Sequence, residues 1–356
     1  MSTKSLIFGD KVLLVIVLLL SLFSFFPVFS SSSYLSYVID GASPIYYLVK
    51  HLIVILFGFI LMLSIKLVPF KFFRGMSIIL LPIGIGLLVY TLSQGTIIGG
   101  SAASRWIDIP FVGISFQTSS LAAIIIITYT ARYLSKVELS KTKFSETLIP
   151  LWLPIFTYIF LIFPANFSSA FLIFTALVIT LFISGFPLRH LFKVFLILGF
   201  LLITFFFTAK TFPDKFPNRI DTWLSRIENF GSNKNLDASY QIERAKMAIN
   251  NGGLIGVGAG KSIMKNHLPQ SNSDFIFAII VEEWGSIGGA FIICLYILMF
   301  FRFLSITHRI DDRFGKILVS GLGVFIIIQA FTNISVATQI IPVTGQNLPL
   351  ISSGGS

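Results

Sequence analysis

The stretch SDFIFAIIVEEWG, residues 273–285, decides the fold because it combines a membrane-like apolar run with three carboxylates. Asp274 stands at the start of the run, and Glu282 and Glu283 lie about two helical turns inside it. A charge in hydrocarbon costs at least about 2.5 kcal/mol, so the two glutamates need buried partners or a polar cavity. We interpret both as structural residues. Asp274 is either the N-cap of a helix or a functional acid at its mouth.

Apolar runs of similar character recur along all 356 residues, of which 55% are hydrophobic and 12% are charged. A soluble domain carries about 25% charged residues, so half of the usual charge is missing. Runs of about 20 apolar residues predict membrane helices, and we therefore predict an all-α, polytopic membrane protein. The nine predicted spans are roughly 12–32, 46–66, 75–93, 115–135, 148–163, 168–186, 191–209, 274–301 and 316–340.

The basic residues indicate how these spans are oriented. Fifteen of the 26 lysines and arginines fall in connections on one side of the membrane, whereas only Lys50 and Arg105 fall in the short connections on the other. The remaining nine lie in one long loop, about 210–273, where charge has little effect on orientation. The N-terminus is therefore predicted to be cytoplasmic and the long loop extracytoplasmic. Membrane topology thus explains the net charge of +11, and no nucleic acid partner is predicted.

The whole chain, 1–356, is predicted to form a single membrane domain, because the short connections are too small to fold alone. The polar run 351–356 is of the kind that leads into another helix, so we expect a tenth span beyond it. Within the long loop, residues 216–230 carry apolar side chains at helical spacing. They form a helix that lies either on the outer membrane surface or against the protein. A second loop helix is predicted from Tyr240 to Asn250.

The segment 252–262 is rich in glycine and ends in a Lys-Ser pair, which raises the question of a phosphate loop. The spacing excludes that motif, because Ile255 occupies the place of a required glycine. The segment is either a turn whose backbone amides approach a pyrophosphate or a flexible loop. Farther along the chain, Gly285 and Gly289 are four residues apart, a spacing typical of close helix packing.

Residues 252–289 resemble the signature of the SEDS family, the FtsW, RodA and SpoVE glycosyltransferases of bacterial wall synthesis. Four further stretches agree with that family in the same order along the chain. They are ASRWI at 103–107, FQTSS at 116–120, FPANFSSA at 163–170 and NISVATQIIPVTGQNLPLISSGGS at 333–356. The run GKSIMKNHLPQ, residues 260–270, is more similar to the FtsW branch than to the RodA branch.

The resemblance implies that the protein polymerises lipid II on the outer face of the bacterial cytoplasmic membrane. Its partners in that reaction would be lipid II and an undecaprenyl-diphosphate-linked glycan. It also implies ten spans, a place at the division septum, and a class B penicillin-binding protein and other divisome proteins as partners. It places the essential acid of the family at Asp274. Independently, glycosyl transfer from a lipid diphosphate needs a base for the acceptor hydroxyl and positive charge for the leaving group. A carboxylate at the membrane interface suits that base.

Six residues are predicted to contact substrate, from their position or from the family stretches that contain them. They are Arg105, Lys50, Lys261, Lys265, Gln117 and Ser352. Arg105 and Lys50 either bind the diphosphate or anchor the chain at the interface. His267 has no partner at metal-ligand spacing, so no metal site is predicted. A divalent cation, Mg²⁺ or Mn²⁺, that bridges Asp274 and the diphosphate would nevertheless be chemically reasonable.

The sequence departs from the family pattern at three positions where the family carries charge. In the fourth span, the family's Glu and Lys fall on Ser120 and Ala123, and the acid of a Pro-Asp motif falls on Asn166. Losing Glu and Lys together keeps the charge balanced, as if an internal ion pair had been dropped. Two other functions stay open. One is a lipid II flippase, with Glu282 and Glu283 lining a polar path, and the other is a scaffold that only recruits the transpeptidase.

Overall fold

The computed structural model describes residues 9–35, 43–94, 106–109, 114–139, 141–211, 236–268 and 273–353. The helices are α1 (Lys11–Leu35), α2 (Pro44–Ile65), α3 (Lys71–Gln94), α4 (Thr118–Lys136), α5 (Phe144–Thr147), α6 (Leu153–Ile162), α7 (Phe167–Ile183), α8 (Leu188–Thr211), α9 (Leu236–Gly252), α10 (Ile276–Arg309) and α11 (Arg313–Ala337). A π-helical turn, Leu148–Trp152, joins α5 to α6, and a 3₁₀ turn, Met264–Asn266, follows α9. The helix predicted at 216–230 and the segment 354–356 lie outside the described residues.

Six helical segments in the described ranges are long and apolar enough to cross a membrane. They are Lys11–Ser32, Ile45–Ile65, Lys71–Ser93, Phe144–Ile162, Ile276–Arg309 and Arg313–Ala337. A seventh helix, α7, is apolar but shorter. The mostly helical, polytopic character is therefore confirmed. A helix overlaps each of the nine predicted spans. That α4, α7 and α8 cross the membrane stays a prediction.

A short antiparallel sheet, β1 (Trp106–Ile109) and β2 (Ile114–Gln117), precedes α4 and corrects the all-α prediction. The span predicted from residue 115 thus begins as a strand, and its helix starts only at Thr118. Pairing of Trp106 with Gln117 closes the ladder next to that helix. The sequence did not reveal the strand, because it is only four residues long and lies immediately before the helix, and periodicity cannot identify so short an element.

Proline disturbs the span formed by α5 and α6. Pro154, in the first turn of α6, has no N–H, so the carbonyl of Pro150 lacks its donor four residues later. The Tyr129 hydroxyl, on α4, donates to this carbonyl at 2.7 Å. The irregular turn at Leu148–Trp152 is thus satisfied by a neighbouring helix, as a broken membrane helix requires.

The described helices pack around two main apolar cores. The first lies between α3, α4, α6, α7 and α8 and includes the fully buried Ile126, Leu134 and Leu177. The second joins α1, α10 and α11 to the chain that follows α11, and Leu20 and Leu348 are buried in it. The catalytic candidate Asp274 lies at the start of α10, at the edge of this second core.

Helix α10 is broken at Gly285, where φ is 71° and ψ is −177°. Only glycine adopts this conformation freely, and a Cβ at this position would lie 2.2 Å from the carbonyl oxygen of Leu254. Gly289 faces Val281 and Phe277 of its own helix. The helix-packing role predicted from the four-residue spacing is therefore wrong. Gly285 is needed for a kink and for close contact with the segment after α9.

The kink deprives two carbonyls and two amides of α10 of their helical partners, and the glycine-rich segment 252–260 replaces all four. The hydrogen bonds are Val257 N–H to Glu282 O (3.0 Å), Gly258 N–H to Glu283 O (3.0 Å), Ser286 N–H to Gly253 O (2.9 Å) and Ile287 N–H to Leu254 O (3.3 Å). The amides at 257 and 258 are thus occupied and unavailable to a pyrophosphate. The segment is a structured part of the kink, which corrects both interpretations that the sequence had left open.

Candidate active site

Asp274 lies in the turn 273–275 that leads into α10, and only 7% of the residue is exposed. The N-cap position of α10 is Phe275, which makes no side-chain cap. Asp274 thus lies one residue before the N-cap position, and a capping role for its carboxylate stays a prediction. A buried acid at the start of a membrane-like helix is also a candidate functional residue.

Asn333, near the end of α11, holds the backbone of this turn. Its side-chain amide donates to the carbonyl of Asp274 at 3.0 Å and to the carbonyl of Gln346 at 2.7 Å. A longer contact, of 3.5 Å, reaches the carbonyl of Ser273. Asn333 is fully buried, so water does not compete for these hydrogen bonds. Sequence reasoning missed this role, although an amide in an otherwise apolar helix was a signal for it.

The chain after α11, residues 338–353, is irregular and folds back over the turn; we refer to it as the covering segment. Its Ser352 hydroxyl donates to the carbonyl of Ser273 at 2.9 Å and accepts from the amide of Leu348 at 2.8 Å. Irregular backbone at membrane depth is stable where the protein buries it in this way. Ser352, predicted to contact substrate, therefore has an internal role in this conformation.

The covering segment also comes near the side chain of Asp274. A Cβ added at Gly345 would lie 3.5 Å from the Asp274 carboxylate oxygen Oδ2, and the φ of Gly345 is 66°. Next to it, the side-chain amide of Gln346 donates to the Ser169 hydroxyl on α7 at 2.9 Å. The covering segment thus lies close to the acid and is itself held to α7 and α11.

The predicted basic contacts differ in their surroundings. The Lys265 ammonium donates to the carbonyl of Gly260 at 2.7 Å and to the Ser30 hydroxyl at 3.3 Å, so it is engaged inside the fold. Lys261 is exposed, and Lys50 is half-buried on α2. Arg105 lies outside the described residues. Among the described lysines of this group, Lys261 presents its charge most openly to solvent.

Glu282 and Glu283 have the buried partners that the sequence required. Both are almost completely buried, with exposures of 0% and 1%. Glu282 accepts from the Ser262 hydroxyl and from the amides of residues 263 and 264, the amides lying at 3.3 to 3.4 Å. Glu283 accepts from the Ser30 hydroxyl on α1. These contacts support the structural interpretation of both residues.

Gln117 ends β2 and lines a cavity of about 20 Å³ together with Asn166. That volume holds about one water molecule and no sugar, so substrate contact by Gln117 stays a prediction. The Asn166 side-chain oxygen accepts from the amide of Ser169 at 3.1 Å and caps α7. Asn and Asp are similar N-caps, so replacement of the family's acid preserves this local structure.

The other two departures lie on α4. Ala123 is fully buried in the first apolar core, whereas Ser120 is half-buried. A lysine at 123 would need an anion in this core, and the protein provides apolar side chains there instead. Within the described ranges, no group of three His, Cys, Asp or Glu side chains could hold a metal ion.

Comparison with known sequences connects this site to a family. A family model described as cell cycle protein, covering FtsW, RodA and SpoVE, matches residues 10–356. The probable peptidoglycan glycosyltransferase FtsW of Hydrogenovibrio crunogenus is 30% identical over 318 residues, 88% of this chain and 78% of that protein. The peptidoglycan glycosyltransferase MrdB of Escherichia coli is 31% identical over 302 residues, 84% of this chain and 78% of that protein.

Solved structures show the same fold at low sequence identity. A chain of a peptidoglycan synthase complex, described as coordinating polymerization and crosslinking, superposes with a TM-score of 0.74 at 20% identity, covering 98% of this chain and 92% of that one. The rod shape determining protein RodA of Thermus thermophilus superposes with a TM-score of 0.67 at 20% identity, covering 98% and 91%. Because the family model spans nearly the whole chain, this protein belongs to the FtsW/RodA/SpoVE family.

Proposed function

We propose that this protein is a peptidoglycan glycosyltransferase that polymerises lipid II on the outer face of the cytoplasmic membrane, with Asp274 as the general base. Family membership and the names of the relatives support the activity. One observation carries the residue assignment: Asp274 is a shielded acid in a turn whose backbone two other segments hold. Groups fixed in this way are typical of a preorganised site.

The reaction needs one proton acceptor and one good leaving group. Asp274 takes the proton of the acceptor hydroxyl while the hydroxyl oxygen attacks the anomeric carbon of the donor sugar. The bond between that carbon and the diphosphate oxygen breaks, and polyprenyl diphosphate leaves with the electron pair. Because diphosphate leaves readily, no second carboxyl is required to protonate it, unlike in many glycoside hydrolases.

Positive charge must accompany the leaving diphosphate. Lys261, Lys50 and Arg105 are our candidates, and the exposure of Lys261 supports its availability. A Mg²⁺ or Mn²⁺ ion would be held by Asp274 and the phosphates of the substrate, because Mg²⁺ commonly binds through one or two carboxylates and substrate phosphates. When bound, such an ion neutralises charge on the diphosphate.

Substrate access requires movement of the covering segment, because only 7% of Asp274 is exposed in this conformation. A Cβ added at Gly345 would lie 3.5 Å from the carboxylate, so we place the opening at this glycine. A lid that excludes water until the acceptor arrives also protects the donor from hydrolysis.

We place the protein at the division septum with a class B penicillin-binding protein as partner. The run GKSIMKNHLPQ, residues 260–270, supports the division role. Overall identity does not distinguish the two branches, because relatives named FtsW and MrdB match at 30% and 31%. The similarity to a chain from a peptidoglycan synthase complex supports a transpeptidase partner. No observation favours the flippase, because Glu282 and Glu283 are both engaged inside the fold.

The decisive experiment is gel analysis of lipid II polymerisation by purified wild type and Asp274→Asn, with and without the transpeptidase. We expect Asp274→Asn to remain folded and to lose polymer formation. Asp312→Asn is the matched control, because Asp312 caps α11 by accepting from the amide of Gly315 at 2.9 Å and lies at a connection predicted to be cytoplasmic. Full polymerisation by Asp274→Asn would refute the base, and transport of lipid II without polymer would favour the flippase.

A further inference from the structure

The side-chain amide of Asn333 joins the candidate base to the covering segment. It donates to the carbonyl of Asp274 on one side and to that of Gln346 on the other, at 3.0 and 2.7 Å. Its own oxygen has no hydrogen-bond partner among the described residues, so the contacts of its NH₂ group, with a longer one of 3.5 Å to the carbonyl of Ser273, fix the orientation of the amide. Ser352 makes a parallel connection from the covering segment to Ser273.

We infer that Asn333 is a positioning residue. It sets the position of the Asp274 carboxylate by holding the backbone of the turn 273–275, and it fixes the covering segment relative to that turn. This inference rests on the proposed function. Both carbonyls accept from one planar group. A shift of the turn that contains Asp274 therefore moves the covering segment, and a shift of the covering segment moves the turn. A displacement of about 1 Å at a reacting group can lower a rate by about 100-fold, which makes such a connection kinetically important.

Two variants test this role. Asn333→Asp has nearly the same shape but replaces the donor with an acceptor that faces two carbonyls. Ser352→Ala removes the parallel connection to Ser273 together with the hydrogen bond from the amide of Leu348. We expect Asn333→Asp to lower kcat for lipid II polymerisation by about 100-fold and Ser352→Ala by about 10-fold, with KM changed by less than about 3-fold. Thr338→Val is the control, because that hydroxyl donates only to carbonyls of its own helix, at 2.9 and 3.4 Å.

The outcomes separate this inference from the proposed function. If wild type polymerises lipid II and Asp274→Asn does not, but Asn333→Asp retains the wild-type kcat, Asn333 is not a positioning residue. A parallel loss of kcat and of the thermal midpoint of unfolding in both variants would assign Asn333 to general stability and overturn the inference as well. Polymerisation by Asp274→Asn would instead contradict the proposed base.

A separate feature lies at the opposite, predicted cytoplasmic end of the protein. A groove of about 530 Å³ runs between α1 and α10, with apolar walls that include Val15, Leu19 and Leu298. Its polar lining consists of Lys11, Arg302 and Ser305. This volume is within the range of about 300–1,000 Å³ that small-molecule sites occupy.

The charges at the end of the groove indicate its occupant. Arg302 is neutralised by two hydrogen bonds to Asp10, at 2.7 and 2.5 Å, whereas Lys11 has no acid within 4.0 Å in the part of the chain that the structure describes. The groove therefore carries one net positive charge beside a hydroxyl, and apolar walls extend from it. We propose that it binds an anionic phospholipid of the inner leaflet, with an acyl chain in the groove and the phosphate at Lys11 and Ser305.

Cys294 makes this proposal directly testable, because it is the single cysteine of the chain, is exposed, and lies four residues before Leu298 on the same face of α10. A fluorophore on Cys294 is quenched by vesicle lipids with brominated acyl chains. We expect brominated phosphatidylglycerol to occupy the groove about 5-fold more favourably than brominated phosphatidylcholine, as measured by quenching. A preference of this size corresponds to the attraction between about one basic residue and an anionic lipid.

The matched variants are Lys11→Gln, which should abolish this preference, and Lys316→Gln, which removes a predicted cytoplasmic cation that does not line the groove and should retain it. Equal quenching of wild type by the two lipids would show that the groove is ordinary lipid-facing surface. A preference that survives Lys11→Gln would equally overturn the proposed site.

Discussion

The carboxylate of Glu283 depends on residues from two distant parts of the chain. The Ser30 hydroxyl, from α1, donates to one of its oxygens, and the Lys265 ammonium lies 3.3 Å from that hydroxyl. A buried acid is tolerated only when such partners are present, because an unpaired charge in this environment is strongly unfavourable. The adjacent Glu282 is satisfied separately, by Ser262 and two amides. Glu282 thus holds the loop that precedes Asp274, whereas Glu283 connects α10 to α1.

Neighbouring serines provide a test of this arrangement. Ser30→Ala removes the donor to Glu283 and should lower the free energy of unfolding by about 1–3 kcal/mol. Ser31→Ala is the matched control, because Ser31 is equally buried but donates only to the carbonyl of Val28 within α1, at 3.2 Å. Thermal unfolding in detergent measures both. Equal effects of the two substitutions would contradict a special role for the Ser30 contact.

The ion pair of Asp10 predicts a pH-dependent stability at the end of the protein that is predicted to be cytoplasmic. Hydrogen bonding from Arg302 lowers the pKa of the Asp10 carboxyl below its ordinary value of 3.8. A carboxyl with a lower pKa in the folded state stabilises the protein above that ordinary value, and the contribution is lost as the pH falls through the folded-state pKa. The thermal midpoint of wild type should therefore decline more than that of Asp10→Asn between about pH 5 and pH 3.

This comparison isolates the ion pair. Asp10 also accepts from the amide of Leu13 at 2.9 Å, and asparagine caps a helix about as well as aspartate does. Asp10→Asn therefore keeps the cap and loses the charge. Parallel pH profiles of the two proteins would mean that the Arg302 contact makes no contribution to stability.

At the scale of elements, the kink in α10 and the glycine-rich segment form one unit. The break at Gly285 exposes backbone groups that no other part of an apolar bundle can satisfy, and the segment after α9 supplies donors and acceptors in the matching order. Each unsatisfied backbone group at membrane depth would cost several kcal/mol. The kink therefore requires this segment.

Gly285→Ala should disrupt this unit. The added Cβ meets the Leu254 carbonyl at 2.2 Å and forces alanine into a positive φ, which together should cost about 3 kcal/mol or more of stability. Gly86→Ala, in α3, is the control, because nothing lies within 4 Å of its added Cβ and alanine favours a helix. The thermal midpoints of unfolding of the two variants are compared. A Gly285→Ala variant with the same midpoint as wild type would disprove the kink.

At the scale of the whole molecule, the contacts of α1 agree with the predicted orientation. Asp10, at its start, meets Arg302 in the second half of α10, and Ser30, near its end, meets Glu283 in the first half. The two helices are thus antiparallel, with the basic end of each on the side predicted to be cytoplasmic. The candidate base lies at the other end, where the substrate lipid would present its sugars.

Cysteine labelling tests this orientation in intact cells. In a Cys294→Ala background, Lys261→Cys should react with a membrane-impermeant maleimide from outside, because its side chain is exposed in the predicted extracytoplasmic loop. Lys141→Cys should react only after lysis, although the Lys141 side chain is 77% exposed. Labelling of Lys141→Cys in intact cells would reverse the proposed topology and place Asp274 on the wrong face.

The sequence by itself determined the membrane class, the approximate helices and the family, because hydrophobic run length and ordered motifs are local properties. It also provided Asp274 as the candidate acid. It also required partners for Glu282 and Glu283 without identifying them. Only the tertiary structure showed that Gly285 breaks α10, that Ser352 is engaged, and that Asn333 holds the turn. These are contacts between residues far apart in the chain, and the geometry that creates them exists only once the helices have packed.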